Sequence, residues 1–255
     1  MTTDDEIAES LDATMALLPH VPYLLQDLFA IGCRPDLILD IVRPIGLGSG
    51  HRVLDLACGK GAAGLTLAGR HGVVVRGVDA FEPFISEARA RAGESGLTAR
   101  CTFEVGDVRE VTAQGDDADL VVYASVGVLG RHDRCVEALR RCVRGGGYIV
   151  IDDGFVSREA DVGPGYDHYA GHEETRHRLT APGATIVAET LADPVEAAAH
   201  NAAMTASIRA RADELARDHP EHTDLFRGYV ERQERECETL DRCFRPAVWL
   251  LRTGD

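Results

Sequence analysis

The stretch Val53-Leu-Asp-Leu-Ala-Cys-Gly-Lys-Gly-Ala-Ala-Gly64 decides the fold. Its first half is a short apolar run with one acid, typical of a buried strand. Its second half spaces three glycines as G-x-G-x-x-G at the opening of a helical segment. Glycines there permit a tight turn and a close approach of the backbone to a ligand. A further acid, Asp79, ends the next apolar run 20 residues after Gly59. This pattern predicts a turn that binds an adenosine-type ligand, with a plain strand-to-helix turn as the alternative.

Strand-like and helix-like segments alternate on both sides of this turn. Five apolar strand segments are predicted by Phe155, followed by a sixth over 183–193 and a last one over 246–253 that is suited to antiparallel pairing. The intervening helices include one over 131–147, ended by three glycines, and one over 166–179. Alternation of this kind predicts an α/β fold with a doubly wound, mostly parallel seven-stranded Rossmann-like sheet.

Two helical stretches lie outside this alternation. Residues 1–45 show helical apolar spacing punctuated by prolines, and 194–244 form a helical block broken at His219–Pro220. We therefore expect a cofactor-binding core over 46–193 and 245–255. The N-terminal segment and the insertion are expected to act as lids over it.

Composition narrows the function classes. The chain of 255 residues carries 42 acids against 27 Lys and Arg, a formal charge of -15, which disfavours a nucleic-acid partner. Its seven cysteines include no C-x-x-C pair, which favours reduced thiols over disulfides or a zinc knuckle. The first residues are acidic, unlike a signal peptide, and no apolar run is long enough for a membrane span. A cytoplasmic protein without a membrane partner is expected, with a homodimer as one option for its assembly.

The motifs resemble those of class I S-adenosylmethionine-dependent methyltransferases of the small-molecule type. Their D-x-G-x-G-x-G motif is matched from Asp55 to Gly61, with Ala57 in place of the first glycine. The resemblance implies S-adenosylmethionine as methyl donor and S-adenosylhomocysteine as product. It implies these cofactor-binding residues: Asp55, Ala57, Cys58, Gly59, Gly61, Asp79, Ala80, Phe81, Gly106, Asp107, Val108, Ala124 and Ser125.

Two other functions stay open at this point. G-x-G-x-x-G alone also fits an NAD-dependent oxidoreductase, but Asp55 would lie beside the NAD pyrophosphate, whereas the ammonium of S-adenosylmethionine gives it a partner. The only lysine, Lys60, lies in the loop, so no Tyr-x-x-x-Lys pair exists. The third option is a protein that binds S-adenosylmethionine without transferring a methyl group. We expect Lys60 to face solvent, with a contact to the cofactor carboxylate as the alternative.

Candidate catalytic and substrate residues follow the fifth strand, because ligands of doubly wound sheets lie beyond the carboxyl ends of the strands. Side chains alternate along a strand, so one of Asp152 and Asp153 faces the cleft; we predict Asp153, whose other role would be to cap the turn. His168 is a second candidate base. H-x-x-x-H with a carboxylate also suits a metal, but without H-E-x-x-H we predict none. The acceptor is predicted to be a small molecule with an O, N, S or C nucleophile, and the candidate substrate residues are Tyr23, Tyr166, Tyr169 and His172.

Overall fold

A seven-stranded sheet forms the centre of the molecule. The computed structural model describes residues 2–124, 127–157, 166 and 168–254. The strands are β1 (Arg52–Leu56), β2 (Val74–Asp79), β3 (Cys101–Val105), β4 (Ala118–Ala124), β5 (Val143–Val156), β6 (Ala184–Leu191) and β7 (Phe244–Thr253). Along the sheet the strand order is β3-β2-β1-β4-β5-β7-β6.

The first five strands pair in parallel, and β7 lies antiparallel between β5 and β6. The chain reverses sides at β1, so the strand order runs outward from β1 in both directions. Ligands bind at the carboxyl ends of strands near such a reversal. The prediction of a mostly parallel seven-stranded Rossmann-like sheet with an antiparallel last strand is confirmed.

Helices cover both faces of the sheet. The helices are α1 (Asp4–Ser10), α2 (Val21–Leu24), α3 (Pro35–Ile41), α4 (Ala62–His71), α5 (Glu82–Glu94), α6 (Val108–Gln114), α7 (His132–Leu139), α8 (His172–Thr180), α9 (Pro194–Asp218) and α10 (Thr223–Cys243). One face of the sheet packs its apolar side chains, such as Val53 and Val122, against α3, α4 and α5. The other face packs Val121, Ile151 and their neighbours against α6, α7 and α8.

A third apolar cluster joins the two helical stretches outside the alternation. Leu17 and Leu24 of the N-terminal segment pack with Ile208 of α9 and Phe226 of α10, and Phe84 of α5 completes the contact with the core. The predicted break between the two long helices is confirmed, at a short turn over Pro220–His222. Within the described residues, no helix has the length and apolar character that crossing a bilayer requires.

Two predicted helices were wrong in extent. Helix α7 ends at Leu139, and the three glycines lie inside β5, where a Cβ on Gly147 would come within 3.1 Å of the Asp119 carbonyl oxygen. The glycines therefore do not end a helix. They permit an irregular start of β5, where its register with β4 shifts. Helix α8 begins only at His172, after Gly171, so His168 lies in the preceding turn. The two histidines do not share a helical face.

Candidate active site

The glycine loop between β1 and α4 is built from left-handed backbone. Ala57, Gly59 and Gly61 have φ of 54°, 52° and 81°. A Cβ on Gly61 would lie 2.9 Å from the Phe103 ring, so only glycine fits there. A Cβ on Gly59 would meet nothing within 4 Å, so open space lies directly above this residue. The loop thus offers bare backbone to a ligand.

Asp79 fastens this loop to the start of α5. Its Oδ2 accepts the Gly59 N–H at 2.9 Å, and its Oδ1 accepts the Phe81 N–H at 2.9 Å. Burial raises the pKa of Asp79, although these N–H groups oppose the shift. Ala80 and the largely buried Phe81 connect the carboxylate to the helix. Asp79 therefore ties the glycine loop to the residues that open α5.

Asp55 is the most buried carboxylate of the site. It is 2% exposed, and its Oδ2 accepts the Gly64 N–H at 2.9 Å. Burial, with the nearby charge of Asp79, raises the pKa of Asp55 to about 7. No cationic side chain of the described residues pairs with it, so a cationic ligand group fits here. A small cavity of about 30 Å³ adjoins it, lined by Phe29, Ile31, Cys33, Asp55, Ala57, Cys58, Gly59, Lys60, Ala62, Ala63 and Ala124.

The third motif, Gly106-Asp107-Val108, lies where β3 leads into α6. Asp107 caps α6, since its Oδ1 accepts the Arg109 N–H at 2.8 Å. The Arg109 guanidinium contacts the same carboxylate, with Nη2 at 2.9 Å from Oδ2, and lowers the pKa of Asp107 to about 2. Arg109 Nη1 also donates to Glu6 Oε1 of α1 at 2.7 Å. The N-terminal helix therefore reaches a predicted cofactor residue, a contact that local sequence patterns do not signal.

Lys60 corrects one sequence-based expectation. It is 1% exposed and does not face solvent. Its Nζ donates to the Leu25 carbonyl oxygen at 2.7 Å and lies 2.8 Å from Glu87 Oε2. Sequence reasoning missed this because the covering residues come from the N-terminal segment and α5. Lys60 ties the glycine loop to both.

The two acids at the end of β5 point to opposite faces of the sheet, as alternation requires. Asp152 pairs in register with Ala124, and lies on the same face as the Asp55 side chain. Asp153 lies on the other face, where its Oδ1 accepts the Tyr169 hydroxyl at 2.8 Å and its Oδ2 lies 3.2 Å from His132 Nε2. The structure thus brings Asp152, and not Asp153, to the face of the glycine loop. A catalytic role for Asp153 stays a prediction.

The other predicted residues are spread around this edge. His168 lies in a turn with its Nε2 near Gly127, whereas His172 Nε2 lies 2.8 Å from Glu189 Oε1. The Tyr166 hydroxyl donates to Glu236 of α10, and the Tyr23 hydroxyl donates to Glu214 of α9. Ser125 lies outside the described residues. Their roles in binding substrate stay predictions.

Metal binding has no support in the described part of the chain. No group of three or more His, Cys, Asp or Glu there is arranged to hold a metal ion. His172 is instead committed to Glu189, whose Oε2 also accepts from Arg176 Nη1 at 2.6 Å. His172, the second histidine of the H-x-x-x-H spacing, therefore has a structural role in pairing with Glu189.

The chain has the seven-stranded fold seen in S-adenosylmethionine-dependent methyltransferases of known structure, and its glycine loop and strand-end acids resemble the cofactor motifs of class I of these enzymes. Residues 53–147 match the family described as "Methyltransferase domain". That match favours the methyl donor over NAD as the ligand of the G-x-G-x-x-G turn.

Comparison with individual proteins agrees. The chain is 28% identical over 110 residues to methyltransferase GfsG of Streptomyces halstedii, covering 43% of this chain and 40% of that protein. It therefore spans less than half of GfsG.

Solved structures show the fold over nearly the whole chain. A methyltransferase of Thiobacillus denitrificans in complex with S-adenosylhomocysteine superposes with a TM-score of 0.78 at 20% identity, covering 91% of this chain and 97% of that one. The [4+2]-cyclase SpnF superposes with a TM-score of 0.72 at 16% identity, covering 99% and 96%. The fold alone therefore does not fix the reaction.

Proposed function

We propose that this protein transfers a methyl group from S-adenosylmethionine to a small-molecule acceptor. The observation that carries the proposal is the pair of carboxylates, the buried Asp55 and the half-buried Asp79, on either side of an open left-handed glycine loop. The methyltransferase-domain match over 53–147 supports the same reaction class.

The residues present fit this cofactor. Asp55, buried without a cationic partner in the described part, would take the ammonium group, and Asp79 would accept hydrogen bonds from ribose hydroxyls. The Asp107 region would border the adenine, and Ala124 the methionine moiety. The bound cofactor supplies an electrophilic methyl on a sulfonium. The protein itself aligns the acceptor with that methyl and keeps water away.

The N-terminal segment and the helical insertion are proposed to form a cap over this site. Four contacts from different parts of the segment support this. Glu6 pairs with Arg109, the Leu25 carbonyl accepts from Lys60, Asp27 pairs with Arg211 of α9, and the Arg34 N–H donates to Asp152. A covered pocket favours a small acceptor over a nucleic acid, in keeping with the acidic composition. The free thiols favour a reducing compartment such as the cytoplasm.

Ligand-dependent melting tests the proposal. The purified protein is heated with S-adenosylmethionine, S-adenosylhomocysteine or NAD. At 100 times its Kd, a ligand stabilises the folded state by about 2.7 kcal/mol, which raises the Tm clearly. We expect a rise with the two sulfur ligands, lost in Asp79→Ala and kept in the control Asp117→Asn, whose exposed carboxylate precedes β4. A rise in Tm with NAD alone would refute the proposal. If S-adenosylmethionine binds but no class of nucleophile receives its methyl group, the protein has a role other than methyl transfer.

A further inference from the structure

Asp152 is a buried carboxylate that the cofactor does not account for. It is 3% exposed, and it lies beside Ala124, which lines the cavity of the glycine loop. The Cys33 thiol lies close enough to both Asp152 and Asp55 that their charges raise its pKa, after burial itself. Asp152 is thus at the β5 end of the same face that holds the cofactor motifs.

The charge of Asp152 has no cationic partner in the described part of the chain. Its Oδ2 accepts only the Arg34 backbone N–H, at 2.6 Å, and no hydrogen bond within that part reaches Oδ1. The Arg34 guanidinium is turned to Asp36, with Nη2 3.1 Å from Oδ2. A buried carboxylate without a cation is costly, so it binds a proton or a cationic ligand group.

Asp152 changes between its charged and its protonated form near neutral pH, because its pKa is raised. Burial, followed by the neighbouring charge of Asp153, raises the pKa of Asp152 to about 7, while the Arg34 N–H opposes the shift. Two further charges of the N-terminal segment act on it: the Arg34 guanidinium, although paired with Asp36, lowers the pKa of Asp152, and Asp36 raises it. A group with such a pKa is well suited to take a proton and release it again at neutral pH.

We infer that Asp152 is the catalytic base of the site and that the methyl acceptor presents a protonated amine to it. This rests on the proposed function, since it names the class of acceptor for that reaction. An ammonium pairs with the buried charge and also carries a proton that must leave. Asp153 cannot serve in the same way, since Tyr169 and His132 hold it on the opposite face.

The proposed reaction is a proton transfer to Asp152 followed by methyl transfer to the amine nitrogen. The ammonium N–H bond breaks and its proton goes to an Asp152 oxygen, leaving the nitrogen lone pair free. That lone pair forms a bond to the donor methyl carbon, while the carbon–sulfur bond breaks and its electron pair stays on sulfur. The products are a methylammonium and the neutral thioether, and Asp152 passes its proton to water after product release.

The experiment begins by saturating the protein with S-adenosylhomocysteine. If the protein does not bind this ligand, the result counts against the proposed function and is seen before the acceptor is tested. Matched pairs of amine and alcohol, such as benzylamine with benzyl alcohol and ethanolamine with ethylene glycol, are then titrated calorimetrically. We expect at least one amine to bind about tenfold more tightly than its alcohol. Asp152→Asn should remove this preference while Asp117→Asn keeps it. The asparagine still offers an oxygen to the Arg34 N–H, so S-adenosylhomocysteine affinity should hold.

Turnover with S-adenosylmethionine separates catalysis from a structural effect. For the preferred amine, Asp152→Asn should lower kcat by about 100-fold or more with the KM for S-adenosylmethionine unchanged, and Asp152→Glu should recover part of the loss. The acid limb of the kcat/KM profile should disappear in Asp152→Asn. The inference is overturned if the wild type binds the cofactor but shows no preference for the amine over the alcohol. It is also overturned if Asp152→Asn shows the same preference as the wild type, or if this variant methylates alcohols at the wild-type rate.

Discussion

At the residue scale, the glycine loop holds one side chain in a conformation that side chains rarely adopt. Ala57 has φ of 54°, where the related motif has glycine. A left-handed non-glycine residue costs roughly 1–2 kcal/mol. The loop holds Ala57 in this unfavourable conformation because hydrogen bonds to Asp79 and Asp55 fix the backbone that follows Ala57.

Ala57→Gly should therefore stabilise the protein. The relief of strain exceeds the added flexibility of the unfolded chain, so we expect the free energy of unfolding to rise by about 0.5–1 kcal/mol. Urea unfolding followed by the fluorescence of Trp249, the single tryptophan, measures it. Gly59→Ala, also left-handed and with open space for the Cβ, should move the other way. A less stable Ala57→Gly would contradict the strain assigned here.

Lys60→Met should be strongly destabilising. It leaves the Leu25 carbonyl without its donor and Glu87 without a buried cation, although Glu87 keeps Arg91. We expect the free energy of unfolding to fall by about 2–3 kcal/mol in the same urea experiment. The control Arg134→Met removes an exposed pair with Glu137 and should change it by about 0.5 kcal/mol at most. Equal losses in the two variants would show that burial of Lys60 adds nothing.

Residues whose partners are local could be predicted, and residues whose partners are distant could not. Gly61 and Asp79 follow from short-range spacing, since the turn and the strand end lie within one structural unit. The burial of Lys60 depends on Leu25, 35 residues away, and on the path of the N-terminal segment. For Asp152 and Asp153, alternation predicted opposite directions, but only the register with Ala124 shows which one faces the cofactor side.

At the scale of elements, strands and long helices agree with the sequence pattern and short elements do not. The strands could be predicted because a strand that is buried on both faces of a sheet needs a nearly continuous apolar run. The N-terminal segment holds only short helices, with Pro19, Pro22 and Pro35 each opening a turn or helix. Glycines were misleading at 145–147, because the same residue ends helices and permits strand irregularities.

Helix α1 should loosen when its link to the core is cut. Arg109→Gln removes the bridge between Glu6 and Asp107. Hydrogen exchange at pH 7 should then be faster for the α1 amides, with those of β1 unchanged. Arg134→Gln serves as the control, and an unaltered α1 in Arg109→Gln would show that apolar packing alone holds it.

Acid should abolish the effect of this bridge. Arg109 lowers the pKa of both Glu6 and Asp107 to about 2, so their stabilisation is complete above about pH 4.5 and is lost as pH falls towards 2. The Tm of Arg109→Gln should therefore lie below that of the wild type at pH 6, and the difference should shrink towards pH 2. A gap that stays constant across this range would contradict the ionic nature of the link.

At the scale of the whole molecule, all seven cysteines are free and six are buried. Burial raises the pKa of Cys33, Cys58 and Cys135 and so keeps them as unreactive thiols. Titration with a thiol reagent should show one accessible group, the half-buried Cys237, in the native protein and seven in denaturant. Fast reaction of several thiols in the native protein would mean that the core opens readily.

The position of β7 sets an order of events during synthesis. This strand is the last of the seven along the sequence, yet it fills the gap between β5 and β6. While residues 244–253 are still inside the ribosome, β5 has a bare edge and β6 has no neighbour in the sheet. The nascent chain must carry those exposed edges, which can pair wrongly, until β7 emerges and completes the sheet after its other six strands.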